Sequence, residues 1–216
     1  QRRAGETAKA ELAELMVGRR VEMPARAAST ATADVVASLD RASVAPAAGR
    51  LGLKHVTLDL HAGEIVGVAG VSGNGQVALA ELMSGMVTTS AGRVTLPGDP
   101  MPADPHCWIE AGVARIPEDW HAEGAVGDLS VWENTITEQL GNPAFVRAGV
   151  IRGGAARRFA SDLATRFDVR GGGIDVPTRT LSGGNMQKLI LGRALSVRGT
   201  QTPRLVVASQ PTWGLD

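Results

Sequence analysis

The sequence predicts an α/β fold, and three stretches carry that prediction. Ile65-Val66-Gly67-Val68-Ala69 is a short apolar run suited to a buried strand; it leads into a glycine-rich loop, after which Leu79, Leu82, Met83 and Met86 fall at helical spacing. Leu205-Val206-Val207-Ala208 is a second apolar run, expected as a parallel core strand. Between them, from about Asp119 to Thr180, no convincing strand is legible, and the pattern reads as a mostly helical lobe.

The remaining elements follow in chain order. Leu12, Leu15 and Met16 suit a short amphipathic helix within Glu6 to Arg19, and residues 24–33, PARAASTATA, read as a linker. Val56, Leu58 and Leu60 alternate as in a half-exposed strand. In the helical lobe, Ser130 followed by Glu133 is a capping-box start signal. Ala156, Phe159, Leu163 and Phe167 mark one face of a helix that the Gly171-Gly172-Gly173 run is expected to end. A further helix is expected from about Asn185 to Ser196.

Composition narrows the function classes. The chain has 216 residues, 44% of them hydrophobic, enough to fill a real core. Lys plus Arg number 22 and Asp plus Glu number 22, so no global charge draws the molecule to nucleic acid or to an anionic membrane. Cys107 is the single cysteine, and no stretch approaches the roughly 20 apolar residues of a spanning helix, so the chain reads as cytosolic. Gln1 and the abrupt end at Asp216 read as the ends of a fragment of something longer. His61, His106 and His121 have no metal-site spacing, and Arg157, Arg158, Asp162 and Arg166 read as a solvated helix face.

Residues 70–77 read GVSGNGQV, which sets Gly70, Gly73 and Gly75 in the frame of a phosphate-binding loop, G-x-x-x-x-G-K-[ST]. Glycines at these places let backbone amides approach phosphate oxygens. The chemistry that follows them is different here. Where an active loop has a lysine to neutralise phosphate and a hydroxyl to ligate magnesium, this chain has Gln76 and Val77. Gln76 donates a hydrogen bond but carries no charge, and Val77 has no oxygen for a metal.

Three further segments give a family resemblance. LSGGNMQK at 181–188 closely resembles the signature motif of ATP-binding cassette (ABC) proteins and opens a helix as that motif does. IPEDWHAEG at 116–124 with DLSVWEN at 128–134 is similar to the lid-loop region of the second cassette in sugar and nucleoside importers, and LVVASQPTWGLD at 205–216 to their Walker B strand and D-loop. The resemblance runs from about residue 35 to the end, and ELAELMVGR at 11–19 resembles the tail of a preceding cassette.

The resemblance implies a P-loop NTPase (RecA-like) core with an inserted, mostly helical signature subdomain and an antiparallel β portion. It implies four segments: 1–34 as cassette tail and linker, 35–118 and 181–216 as two parts of the ATP-binding core, and 119–180 as the helical subdomain. The second core part would stop before the family's switch histidine. Nucleotide-site positions fall on Gly70, Val71, Ser72, Gly73, Asn74, Gly75, Gln76, Val77 and Glu118; signature positions fall on Leu181, Ser182, Gly183, Gly184, Asn185 and Gln187. Ser209 stands at the usual Walker B aspartate, Gln210 at the usual catalytic glutamate, and Glu118 near the usual lid-loop glutamine. Residues 38–50 contain no aromatic on which adenine would stack. The expectation is a degenerate cassette with no catalytic residue and no metal in its own site. Its signature motif would complete an ATP and magnesium site on the first cassette of the same chain.

Expected partners are that cassette, transmembrane permease subunits and, indirectly, a periplasmic or extracellular substrate-binding protein, with no nucleic acid. The place is the cytoplasmic side of the membrane, peripherally bound, and the cargo a simple sugar or nucleoside. Trp120 and Trp132 are candidate permease contacts. Rival readings are a non-transport ABC ATPase and a purely regulatory or scaffolding cassette that binds no nucleotide.

Overall fold

A computed structural model describes residues 30–47, 49–196 and 202–211. The expected helix within 6–19 and most of the 24–33 linker lie outside these residues.

The antiparallel portion is a four-stranded sheet made of β1 (Val35–Val44), β2 (Leu53–His61), β3 (Ala91–Leu96) and β4 (Asp99–Pro100), in the order β2-β1-β3-β4. β1 carries a register shift between Leu39 and Ala42, where Arg41 takes a positive φ of 46°. One extra residue in a strand reverses which side chains face inward. Ala37 and Leu39 are accordingly buried before the bulge and Ala42 and Val44 after it. Gly92 on β3 faces this bulge with φ 73°, where an added Cβ would overlap the carbonyl oxygens of Asp40 and Arg41.

Two short helices cover the inner face: α1 (Gln76–Leu82) and α2 (Pro105–Glu110). Leu82, Met83 and Trp108 pack there with Leu39, Val94, Leu96 and Val113, and the Trp108 indole donates to Pro102 O at 2.8 Å. The expected face of α1 extends too far, since the helix stops at Leu82 and Met86 is half exposed.

β5 (Val113–Ile116) and β8 (Leu205–Ala208) pair in parallel, Val113 opposite Leu205 and Ile116 opposite Ala208, as the second apolar run predicts, but β8 is not the expected core strand, since none of its four residues is buried and Val206 is exposed. The first run behaves differently. Residues 64–69 form no strand, and Ile65 is 99% exposed. Among the described residues no strand pairs with them, and a segment without a ladder partner lacks the hydrogen bonds that make a strand.

The lobe after residue 119 is mostly helical, but it also holds a two-residue hairpin, β6 (Val146–Arg147) with β7 (Val150–Ile151). Its helices are a short π-helix (Trp120–Gly124), α3 (Val131–Ile136), α4 (Gly153–Arg166) and two single-turn 3-10 helices (Thr137–Gln139 and Thr178–Thr180), followed by α5 (Gly183–Ala194). α4 ends well before the glycine run. Phe167 caps it, Asp168 takes φ 52°, and Gly171–Gly173 shape the turn beyond. Val131, Leu163, Leu181 and Leu189 form the shared core of α3, α4 and α5.

The capping box is present at α3: Ser130 Oγ accepts from Glu133 N, and Glu133 Oε2 accepts from Ser130 N at 2.8 Å. Ser130→Ala is expected to lower stability by about 1 kcal/mol in urea unfolding. Hydrogen bonds from the Ser130 hydroxyl and then its amide hold the Glu133 carboxyl below its ordinary pKa. A lowered folded-state pKa stabilises above the unfolded value of about 4.3 and is lost as pH falls through the lowered one. The gap between wild type and Ser130→Ala therefore narrows below that pH.

Candidate functional site

The glycine loop runs from the unpaired segment 64–69 into α1. Gly73 and Gly75 have φ of 87° and 99°, left-handed values that a side chain resists. Gly75 is also buried, and an added Cβ would stand 3.1 Å from Gly52 O. A cleft of about 480 Å³ opens between this loop and the end of the parallel strand pair. Gly70, Ser72, Gly73, Gln76 and Val77 line it on one side, with Glu118, Ser209 and Gln210 opposite. The fold thus gathers most of the expected nucleotide-site residues. Val71 and Asn74 are exposed on the loop and do not line the cleft.

The groups facing this cleft do not fit magnesium-ATP as an active loop would. Gln76 turns back along the loop: its Nε2 donates to Val71 O at 3.0 Å and packs against Gly70, where an added Cβ would stand 2.7 Å from it. Its Oε1 is buried with no hydrogen-bond partner. The side chain that would have to meet phosphate is engaged with the loop itself and carries no charge. For a metal, Val77 offers nothing, Ser209 and Gln210 offer neutral oxygens, and Glu118 is the one carboxylate on the lining. Among the described residues no cluster of three or more His, Cys, Asp or Glu is arranged to hold a metal. No aromatic ring lines the cleft.

The ends of the two parallel strands are tied together along this strand-end wall of the cleft. Ser209 N donates to Ile116 O at 2.9 Å, and Gln210 Nε2 donates to Glu118 Oε1 at 2.8 Å. Gln210 takes φ 44°.

The signature segment forms the start of α5. Ser182 is the N-cap residue, with extended backbone and no side-chain bond to the helix amides. Leu181 anchors the segment in the lobe core, whereas Ser182 and Gly183 are exposed and Gly184 is half-exposed. A Cβ at Gly183 or Gly184 would meet nothing within 4 Å. Neither glycine has a positive φ, so no packing or backbone demand among the described residues explains them. Asn185 holds the turn, donating from Nδ2 to Ser182 Oγ at 2.9 Å and accepting from Arg170 N at 2.7 Å. Gln187 is buried and donates to Pro211 O. One surface therefore presents an exposed hydroxyl that accepts from Asn185, two unobstructed glycines and the amide end of a twelve-residue helix.

Two buried polar residues organise the lobe behind this surface without any motif announcing them. Asn134, wholly buried, accepts from Val126 N and donates to Val126 O, both at 2.9 Å, and to Thr178 Oγ1 at 2.7 Å. Arg193, on α5, donates to Gly124 O at 2.7 Å and pairs with Glu138 at 3.0 Å. A buried polar side chain inside a helical pattern is a signal that could have singled them out. Of the two candidate tryptophans, Trp120 is core, packed on Met186 and Ile190. Trp132 is half-buried beneath the Arg157 guanidinium, 4.5 Å from its ring centre, and Arg157 also pairs with Asp175 at 2.8 Å. Cys107 lies outside the cleft, its thiol pushed up by the hydrogen bond to Asp104.

A protein-family model described as ABC transporter matches residues 53–206. The chain is 40% identical over 214 residues to a glucose import ATP-binding protein of Haloferax volcanii, covering 98% of this chain and 38% of that protein. It is 37% identical over 213 residues to a nucleoside import ATP-binding protein of Lactococcus lactis, covering 98% and 41% respectively. It therefore spans about two fifths of the length of these relatives. Among solved structures, the ATP-binding cassette MJ0796, in a dimeric post-hydrolysis state bound to ADP and Pi, superposes with a TM-score of 0.66. That match has 21% identity and covers 83% of this chain and 76% of the other, which establishes the P-loop NTPase cassette fold. Among the described residues no helix is long and apolar enough to cross a membrane. A cleft behind a glycine loop, a signature segment at a helix start and a match over most of its length lead to one assignment: the chain belongs to the ABC transporter family.

Proposed function

We propose that this chain is the second, degenerate cassette of a tandem importer ATPase. It serves ATP turnover by presenting residues 181–187 to nucleotide held in the loop of the first cassette. The observation that carries the reading is the contrast between its two half-sites. The cleft at Gly70–Val77 has Gln76 folded onto its own loop and a single carboxylate. The signature surface is open, with nothing within 4 Å of a Cβ at Gly183 or Gly184. The Ser182 hydroxyl and the amides of Gly183 and Gly184, at the positive end of α5, suit a terminal phosphate, and a bare glycine surface leaves room for one. ATP bound at that composite site would bring the phosphoanhydride, with magnesium held by the first cassette.

In this reading residues 35–118 and 181–216 are core, 119–180 the lobe that docks on a permease at the cytoplasmic face, and 1–34 the link from the first cassette. Relatives named for glucose and nucleoside import support a simple sugar or a nucleoside as cargo, delivered by a separate binding protein. Equal numbers of acidic and basic residues favour this over a nucleic-acid-directed ATPase.

With magnesium-ATP the purified chain is expected to release no phosphate above background, and Gln76→Lys alone to leave that unchanged. A lysine restores one charge, but Val77, Ser209 and Gln210 still supply neither metal ligand nor base. Turnover in either protein, by a phosphate-release assay, would refute the degenerate cleft.

A further inference from the structure

The Glu118–Gln210 hydrogen bond joins two segments that both end on α5. From the end of β5, residues 117–124 run under that helix: Trp120 packs on Met186 and Ile190, and the Gly124 carbonyl accepts from Arg193 at 2.7 Å. From the end of β8, residues 209–211 reach the same helix, where Pro211 O accepts from the buried Gln187. Asp119 fixes the start of the first segment by accepting from His121 N at 3.0 Å and Ala122 N at 2.9 Å. Gln210 is held at φ 44°, a conformation that residues with a Cβ adopt only against steric resistance. Its side chain donates to Glu118 Oε1, and the carbonyl of the next residue, Pro211, accepts from Gln187.

We propose that Glu118 and Gln210 act as a clasp that sets the position of α5, and with it Ser182–Gly184, with no ligand in the adjacent cleft. The two segments are closed on each other by a carboxylate and a carboxamide, side chain to side chain, and both hold one flank of α5, Trp120 on Met186 and Ile190 and Pro211 O on Gln187. These are positioning residues, and what they position is the signature surface. The proposal rests on the reading above only for its consequence, that this surface is preset for nucleotide held elsewhere.

The test is an exchange cycle in the full-length protein, read without nucleotide by amide hydrogen exchange. Gln210→Glu sets two carboxylates face to face and is expected to raise exchange about threefold to tenfold in residues 119–124 and 183–187 together, with β1 unchanged. Glu118→Gln leaves two carboxamides that still pair, and exchange is expected to stay near wild type. The double variant E118Q/Q210E restores carboxylate and carboxamide with donor and acceptor reversed and is expected to return both segments to the wild-type rate. A merely structural loss would not be rescued by exchanging the partners. Wild-type exchange in Gln210→Glu, loosening confined to 209–211, or a double variant as loose as Gln210→Glu would each overturn the clasp. If Gln210→Glu does not accumulate as folded protein, Glu118→Ala removes the acceptor without adding charge and is read the same way. Because nucleotide is absent throughout, this outcome is independent of ATP hydrolysis, which reports on the composite site.

Discussion

In the tandem protein proposed above, Ser182→Arg is expected to lower ATP hydrolysis at least about a hundredfold while leaving the fold untouched. Ser182 is exposed at the start of α5 and makes no helix-capping bond, so a larger side chain there displaces nothing in the core. Stability should change by no more than about 0.5 kcal/mol in urea unfolding. What the arginine does obstruct is the space in front of Gly183 and Gly184, where a Cβ meets nothing within 4 Å. Loss of one donor to developing charge costs about a hundred- to a thousandfold in rate, and here the approach to two amides is blocked as well. Ser182→Ala removes the hydroxyl but leaves the amides reachable, so its loss is expected to be smaller. Phosphate release by the two variants, beside their unfolding curves, separates a damaged site from a damaged fold.

Arg193→Ala is expected to have the opposite profile, lowering stability by about 3 kcal/mol in urea unfolding. The Arg193 side chain is 8% exposed and meets four groups from one buried position: Gly124 O at 2.7 Å, Glu138 Oε1 at 3.0 Å, and Asn134 O and Thr137 Oγ1 at 3.4 Å each. Truncation leaves carbonyls without a donor and Glu138 without its partner, and the uncompensated partner dominates the cost. Glu138→Gln in the Arg193→Ala background removes the stranded charge and should recover part of the loss, which a double-mutant cycle measures directly.

Much of the site was legible because its parts are local. The glycine frame at 70–77, the signature segment opening α5, and the pairing of Ser130 with Glu133 each depend on residues within a few positions of one another, where spacing alone carries the information. Strands that depend on distant partners were harder. β1 breaks its alternation at the Arg41 bulge, so inward residues change from odd to even positions and the strand has no single period to read. Residues 64–69 show the reverse: their apolar run has the composition of a buried strand, but no ladder forms beside it among the described residues. The end of α4 was misread because a glycine run is a strong stop signal, whereas Asp168 turning left-handed is a weak one. Sequence identified Gln76 as a lost charge but could not show that its amide turns back on Val71 and Gly70. The contact between Glu118 and Gln210 spans 92 residues, and it appears only once β5 and β8 are paired.

The central claim, one hydrolysing site per pair of cassettes built with this chain's signature surface, is tested most directly by trapping. The tandem protein is turned over with magnesium-ATP and vanadate, trapped ADP is counted per molecule, and a photoreactive ATP analogue locates it. One ADP per tandem molecule, cross-linked to the first cassette and lost in Ser182→Arg, is the predicted result. Two trapped nucleotides, or a label on Gly70–Val77, would contradict it.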